Sequence, residues 1–527
     1  MITQYKRIGF GEILAISAVA LAMGLAIGVT SSAGRFDLAV VMFVAVAGAI
    51  AFLRPSIALL GSLAAALLIV GSVQLYAPGL QRAQWAVAAA TIILGAMGVL
   101  EYVFSAKKQR DMPPGMLVIL VFVFLLAASG LINSLSVGQM AFGVKGYVQV
   151  LGVFFAITLL RDAERTASII PGLLVGIAIL QLPFVMHQWF VLVPQRMGLG
   201  GGIVAEDIVS GTMGASFTGG GSNALLSILL ITAIAILASG YRAGAIRLRW
   251  VVPGMIICII PVLLNANRIA MFYLVLMMVM IFGRQLWANP KRSMTGVIAV
   301  TAMVLAAVWA NANLTGRADE GDGWRELIQT TFERNFEEDF GYGDYDLNRI
   351  GSIVFWWQES MKHQRVDKIL FGHGPGAARE AGDSALGVTT LAKARYSGVG
   401  IGLTAVSALL WELGVVGLVV AFGILSSAYR SANYLIRHLP EDDFRAWVAR
   451  ALKVSVVIFA ISFFHKNTFV FHMIYQTLLF TVIGTLSTWH YFLARSQASH
   501  HPVCLLYTSD AADDPTLVEI SGVGVCL

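Results

Sequence analysis

The residues best equipped for chemistry in this chain are few and far apart. Arg268 stands in the tight turn Leu264-Asn265-Ala266-Asn267-Arg268 between two apolar runs. A guanidinium at a membrane edge keeps its charge at any ordinary pH and forks onto phosphate oxygens, although an arginine there equally serves as an anchor to lipid headgroups. His373, in Gly372-His373-Gly374-Pro375-Gly376, could move a proton, while a solvated loop histidine needs no such role. Glu412 falls within an apolar run, where a carboxylate must face protein or water; it is either functional or a hydrogen bond to a neighbouring helix. The glycines at 198–202 and the stretch from Ser210 to Asn223 let backbone N–H groups approach an anion, and fit a re-entrant turn equally well. That spacing is neither a Walker loop nor a dinucleotide turn. The loop after residue 311 holds no HExxH or cysteine cluster, so neither metal nor other cofactor is expected.

The elements that must position these residues follow from composition. Of 527 residues, 57% are hydrophobic and 13% charged, against about a quarter charged in a soluble domain. Mean hydropathy is +0.77. The pattern predicts an all-α, polytopic transmembrane bundle of about 12–14 spans, among them Phe10–Val29, Leu38–Leu53, Gln84–Phe104, Phe142–Leu160, Met294–Ala310 and Leu403–Leu425, with one large, partly helical loop. The divisions expected are N-terminal transmembrane helices over 1–191, central ones with the Gly-rich loop and the Arg268 turn over 192–311, the large loop over 312–400, and C-terminal transmembrane helices over 401–501. The net charge of +6 does not imply nucleic acid, because the basic residues lie in short loops that orient helices. One set of alternate loops carries Lys107, Arg161, Arg165, Arg242, Arg247, Arg430, Arg437 and Arg445 among others; the opposite set holds only Arg35, Arg82, Arg196, Arg268 and Lys466 outside the large loop. This asymmetry predicts a multi-pass protein of the cytoplasmic membrane with both termini inside and the 312–400 loop outside.

The lone cysteine of the apolar runs, Cys258, reads as a small packing residue. The segment Cys504 to Asp514, CLLYTSDAADD, reads like a translated sequencing-library adaptor, and 502–527 are expected to be a non-native tail. Trp356-Trp357 reads as a pair of interfacial anchors on an amphipathic helix.

The order of motifs between residues 211 and 423 resembles the bacterial O-antigen ligase and polysaccharide polymerase superfamily. Gly211-Thr212-Met213-Gly214 and Ser222-Asn223 precede a span, Asn267-Arg268-Ile269-Ala270 makes a turn, and a long loop carries Arg349 and Gly372-His373-Gly374-Pro375-Gly376. Trp411-Glu412-Leu413-Gly414 then lies in the next span. The resemblance implies a GT-C-like membrane glycosyltransferase that polymerises or ligates undecaprenyl-diphosphate-linked glycan onto a glycan or lipid acceptor at the outer face, alongside membrane lipids, a chain-length regulator and a flippase. It implies that Arg268 and Arg349 hold the diphosphate. The family histidine nine residues before the glutamate is Leu403 here, which leaves His373, Asp383 and Glu412 as catalytic candidates and leans toward polymerase. Trp324 could stack on a sugar face. A lipid-linked sugar flippase or transporter, or a non-catalytic scaffold for envelope assembly, are the alternatives; scarce charges in the spans and the lack of an internal repeat weigh against transport.

Overall fold

A computed structural model describes residues 54–105, 111–198, 204–265, 267, 269–288, 346–380 and 388–500. Arg268, Trp324 and Asp383 therefore lie outside the described residues, as do the expected spans before residue 54 and over 294–310, and the tail. Among the described residues the structure is helical, with no strand beyond one isolated antiparallel bridge between Ala215 and Gly221.

The helices are α1 (Pro55–Leu68), α2 (Val70–Tyr76), α3 (Gln84–Phe104), α4 (Met116–Ile132), α5 (Val137–Val148), α6 (Gly152–Leu159), α7 (Ala163–Ile179), α8 (Gln181–His187) and α9 (Val193–Met197). They continue as α10 (Asn223–Arg242), α11 (Leu248–Leu264), α12 (Ile269–Ala288), α13 (Gly351–His363), α14 (Val366–Phe371), α15 (Leu391–Arg395), α16 (Ala405–His438), α17 (Phe444–His465) and α18 (Met473–His500). Among the described residues seven helical stretches are long and apolar enough to cross a membrane, and α5 with α6 adds one more if that pair, bent by 47°, makes a single span. The expected run 142–160 thus breaks at residues 149–151 rather than passing straight through.

Local chemistry sets the ends. Ser136 caps α5 in a reciprocal box with Gln139, and Thr404 caps α16 in the same way with Ser407. Pro55 opens α1, where its missing N–H costs nothing. Burial sets the middle. In α10 every residue from Leu225 to Gly240 is buried, so this helix is the axis that the others surround. Its polar residues are satisfied within helices: the Thr232 hydroxyl meets Ser455 of α17 at 2.8 Å, and Ser239 donates to the Trp447 carbonyl at 2.6 Å. A threonine stripe on α18 is treated likewise, with Thr477, Thr481 and Thr485 donating to the carbonyls four residues back.

The two ends of the bundle differ. At one end gather the described parts of the large loop, the start of α10, the end of α17 and the start of α18, joined by Asn467 to Gly402 and Leu403, by Phe471 to Gly146 and by Lys466 to Gly221. We call this the loop end. At the other end lie Arg445 beside Glu164, Arg161 bonded through its N–H to Glu101, and Arg242 donating to the Ile281 carbonyl. Among the described residues, Arg161, Arg242 and Arg445 of one basic set thus lie at the end opposite Lys466 of the other.

Candidate functional site

Three constructions occupy the loop end. The first encloses Glu412. Helix α16 is interrupted at Gly414, whose φ of 68° and ψ of −166° are not helical. The interruption exposes the Trp411 and Glu412 carbonyls, which accept the His373 and Gly374 N–H groups at 2.8 and 2.9 Å. Glycine is required on both sides: a Cβ on Gly414 would stand 2.4 Å from the Leu370 carbonyl carbon, and one on Gly372 would stand 2.3 Å from that of Glu412. The fully buried Glu412 carboxylate turns back onto the same loop. It accepts from the Tyr147 hydroxyl at 2.7 Å, Gly376 N–H at 2.8 Å and Ala378 N–H at 3.2 Å. Ser129 of α4 donates to the Phe371 carbonyl at 2.7 Å, and Asn133 donates to the Gly372 carbonyl at 3.2 Å. A buried carboxylate with three protein donors is the bolt of a clamp that fastens the Gly372–Gly376 turn onto α4, α5 and α16.

His373 is brought against this clamp, its ring 5.5 Å from that of Trp411. Burial pushes its pKa down to about 4, a fall that the Trp411 carbonyl opposes and the nearby Lys368 and Arg365 charges deepen. The imidazole lines an open cleft of about 220 Å³ with Gln139, Phe142, Thr389 and Thr390. Arg379 lies alongside, its guanidinium 4.7 Å from the Phe142 ring centre and 4.3 Å from that of Phe471. Burial lowers its pKa while the Glu412 charge holds it up.

The second construction is the Ser210–Gly214 loop, which dips into the bundle. Gln188 accepts the Ser210 and Gly211 N–H groups at 3.0 and 2.7 Å and donates to the Gly211 carbonyl at 2.7 Å. Gln181 accepts the Thr212 N–H at 2.8 Å. These N–H donors are taken by protein side chains, so they are not free to cradle an anion. The signal was two glutamines seven residues apart in an apolar run.

The third holds Arg349. It lies in the turn before α13 and acts electrostatically on Tyr273 of α12, on His465 and on Lys466. Helix α12 begins at Ile269, the residue after Arg268. The turn leading to it is tied to α10: Asn223 donates to the Asn265 carbonyl at 2.9 Å, while Asn265 and Asn267 both donate to the Ser227 hydroxyl, at 2.7 and 3.1 Å. Beside these lie His472, hydrogen-bonded to Ser222 at 2.8 Å, and Lys466, which donates to the Gly221 carbonyl at 3.3 Å. Burial, with Lys466 adding to it, lowers the His472 pKa to about 4. His465, Lys466 and His472 were not singled out from sequence as site residues. Only the place of Lys466 in the sparse basic set pointed here.

The structure groups His373 with Glu412 and Arg349 with Lys466. Trp356 and Trp357 part company: Trp356 is 4% exposed and packs in the core, whereas Trp357 is 54% exposed, so only the latter fits an interfacial anchor. Successive helical residues point about 100° apart, which separates the pair. Among the described residues no group of three His, Cys, Asp or Glu side chains converges as a metal site.

A scan of protein-family models finds no match to this chain, and a search of curated proteins finds none either.

Proposed function

We propose that the chain is a membrane glycosyltransferase that polymerises or ligates glycan carried on undecaprenyl diphosphate, at the outer face of the cytoplasmic membrane. One observation carries this reading. Arg349, from the large loop, lies within electrostatic reach of Tyr273 on α12, the helix whose first residue directly follows Arg268. Arginine keeps its charge at any ordinary pH and forks onto phosphate oxygens, which suits both residues to hold a diphosphate.

In this reading the prenyl chain lies among lipid-facing helices and its diphosphate meets Arg268 and Arg349. An acceptor sugar hydroxyl attacks the anomeric carbon. Its oxygen bonds to that carbon, the carbon–oxygen bond to the diphosphate breaks, and the electron pair departs with the diphosphate. Fixed guanidinium groups stabilise the charge growing there. The acceptor proton goes to a base, for which His373 is a candidate through its cleft position and neutral ring at physiological pH. Glu412, with three protein donors on its carboxylate, supports a positioning role better than proton transfer. The clamp would hold the loop over the site and keep water from the anomeric carbon.

The test is product formation by variants that insert normally. Arg268→Ala and Arg349→Ala are each expected to abolish polymer or ligated product; full product from both would favour a scaffold.

A further inference from the structure

Arg379 stands at the edge of the cleft that His373 lines, on a fixed backbone. Its N–H donates to the Gly376 carbonyl at 3.3 Å, and its carbonyl accepts from the Thr390 hydroxyl. The turn before it is pressed onto α5, where a Cβ on Gly143 would stand 2.0 Å from the Pro375 carbonyl oxygen. From this base the guanidinium reaches two aromatic rings, 4.7 Å from the centre of Phe142 and 4.3 Å from that of Phe471. Phe142 also lines the cleft, so the cation rests on the ring that forms part of the cleft wall.

Contact with rings engages the flat face of a guanidinium and leaves its N–H edge for other partners. Among the described residues the Arg379 side chain has no hydrogen bond or ion pair. Glu412 acts on it through charge alone. That carboxylate already accepts from Tyr147, Gly376 and Ala378, so it offsets the charge of Arg379 without occupying its donors. A half-buried guanidinium that has shed water without gaining an acceptor is costly, and a forked carboxylate removes that cost.

The neighbouring cleft suits a sugar. It is open, holds about 220 Å³, and has no acidic side chain among its described lining residues. Phe142 and Pro375 give it apolar surface, while Gln139, His373 and Thr389 give it polar groups. The Gln139 amide donates to the Thr389 carbonyl at 3.2 Å, which holds two of the lining segments together. Apolar walls with a few placed polar groups are the usual make-up of a small-molecule site.

We propose that Arg379 and this cleft form a subsite for an acidic sugar, the guanidinium fork taking the carboxylate of a hexuronate whose ring lies in the cleft beside His373. That this hexuronate is the accepting unit of the glycan rests on the functional reading above.

The experiment uses the purified full chain in nanodiscs of zwitterionic lipid, with binding read by saturation-transfer NMR. The probes are a glucuronate-terminated trisaccharide, its glucose-terminated counterpart, and free glucuronate and inorganic phosphate as competitors. The wild type is expected to bind the acidic trisaccharide at least about tenfold more tightly than the neutral one. Arg379→Gln should remove that preference, weakening the acidic probe about tenfold and changing the neutral one less than about twofold. Arg379→Lys should restore it only in part, because an ammonium cannot fork. Equal binding of both trisaccharides by the wild type, or binding of neither, overturns the assignment with no variant needed, so the test survives if Arg379→Gln fails to fold. An undiminished preference in Arg379→Gln overturns it too. So does displacement by phosphate as readily as by glucuronate, because the site then takes any anion. If the preference is present and depends on Arg379 while Arg268→Ala and Arg349→Ala still make full product, the subsite stands and the transferase reading falls. If those two variants abolish product and the wild type shows no preference, the subsite alone falls.

Discussion

At the residue scale the loop end contains two kinds of buried polarity, and they predict different behaviour. Glu412 is satisfied by Tyr147, Gly376 and Ala378, so removing it leaves three donors without an acceptor. Glu412→Ala should lower stability by about 2–5 kcal/mol, and Glu412→Gln by less because an amide oxygen still accepts; thermal melts in detergent read the difference. His373 and His472 are both held neutral by burial, each with a pKa near 4. An unfolded histidine takes up a proton below about 6.5 whereas these do not until about 4, so the unfolded state binds more protons within that window. Stability should therefore fall as pH drops from about 6.5 to about 4, by on the order of 3 kcal/mol per histidine, and level off outside it. His373→Asn and His472→Asn should each flatten that slope in melts taken across pH.

At the element scale the helices obey signals that are local, while the clamp does not. Pro55 and the capping pairs Ser136/Gln139 and Thr404/Ser407 can be read along the chain. The apolar run 84–104 and helix α3 coincide. Helix α16, by contrast, runs to His438, well beyond the apolar stretch ending near Leu425, because hydropathy marks where lipid ends and not where the helix does. The break at Gly414 was not legible, since a lone glycine in a helical pattern is usually tolerated; only the approach of Leu370 reveals why it must be glycine. Gly414→Ala should undock the turn over 372–376 and speed its cleavage by protease in folded, detergent-held protein. The two glutamines that hold the Ser210–Gly214 loop likewise required a structure, because their partners are more than twenty residues away. Gln188→Leu leaves the Gly211 N–H and carbonyl without their glutamine partner and the Ser210 N–H with only the Ile208 carbonyl, and should cost about 2–4 kcal/mol in the same melts.

At the scale of the whole molecule, helix parity and charge agree. Arg161, Arg242 and Arg445 lie at one end and Arg196 and Lys466 at the other, as alternation along the sequence required. What sequence could not supply was the gathering of residues 221–223, 265, 267, 349 and 465–472 at one end, which depends on how α10, α12, α17 and α18 pack. Motif order brought Arg268 and Arg349 forward and left Lys466 out, because a single lysine between two spans looks like any other orienting charge. If the loop end faces outward, a cysteine placed at Arg365 should react with an impermeant thiol reagent on intact cells, and one placed at Arg437 only after permeabilisation. The most direct measurement is transfer itself. The full chain would be reconstituted in vesicles with undecaprenyl-diphosphate-linked glycan and its acceptor. The account predicts longer or ligated product with release of undecaprenyl diphosphate, lost in Arg268→Ala and Arg349→Ala. Full product from both variants, or donor that crosses the bilayer without being consumed, would contradict it.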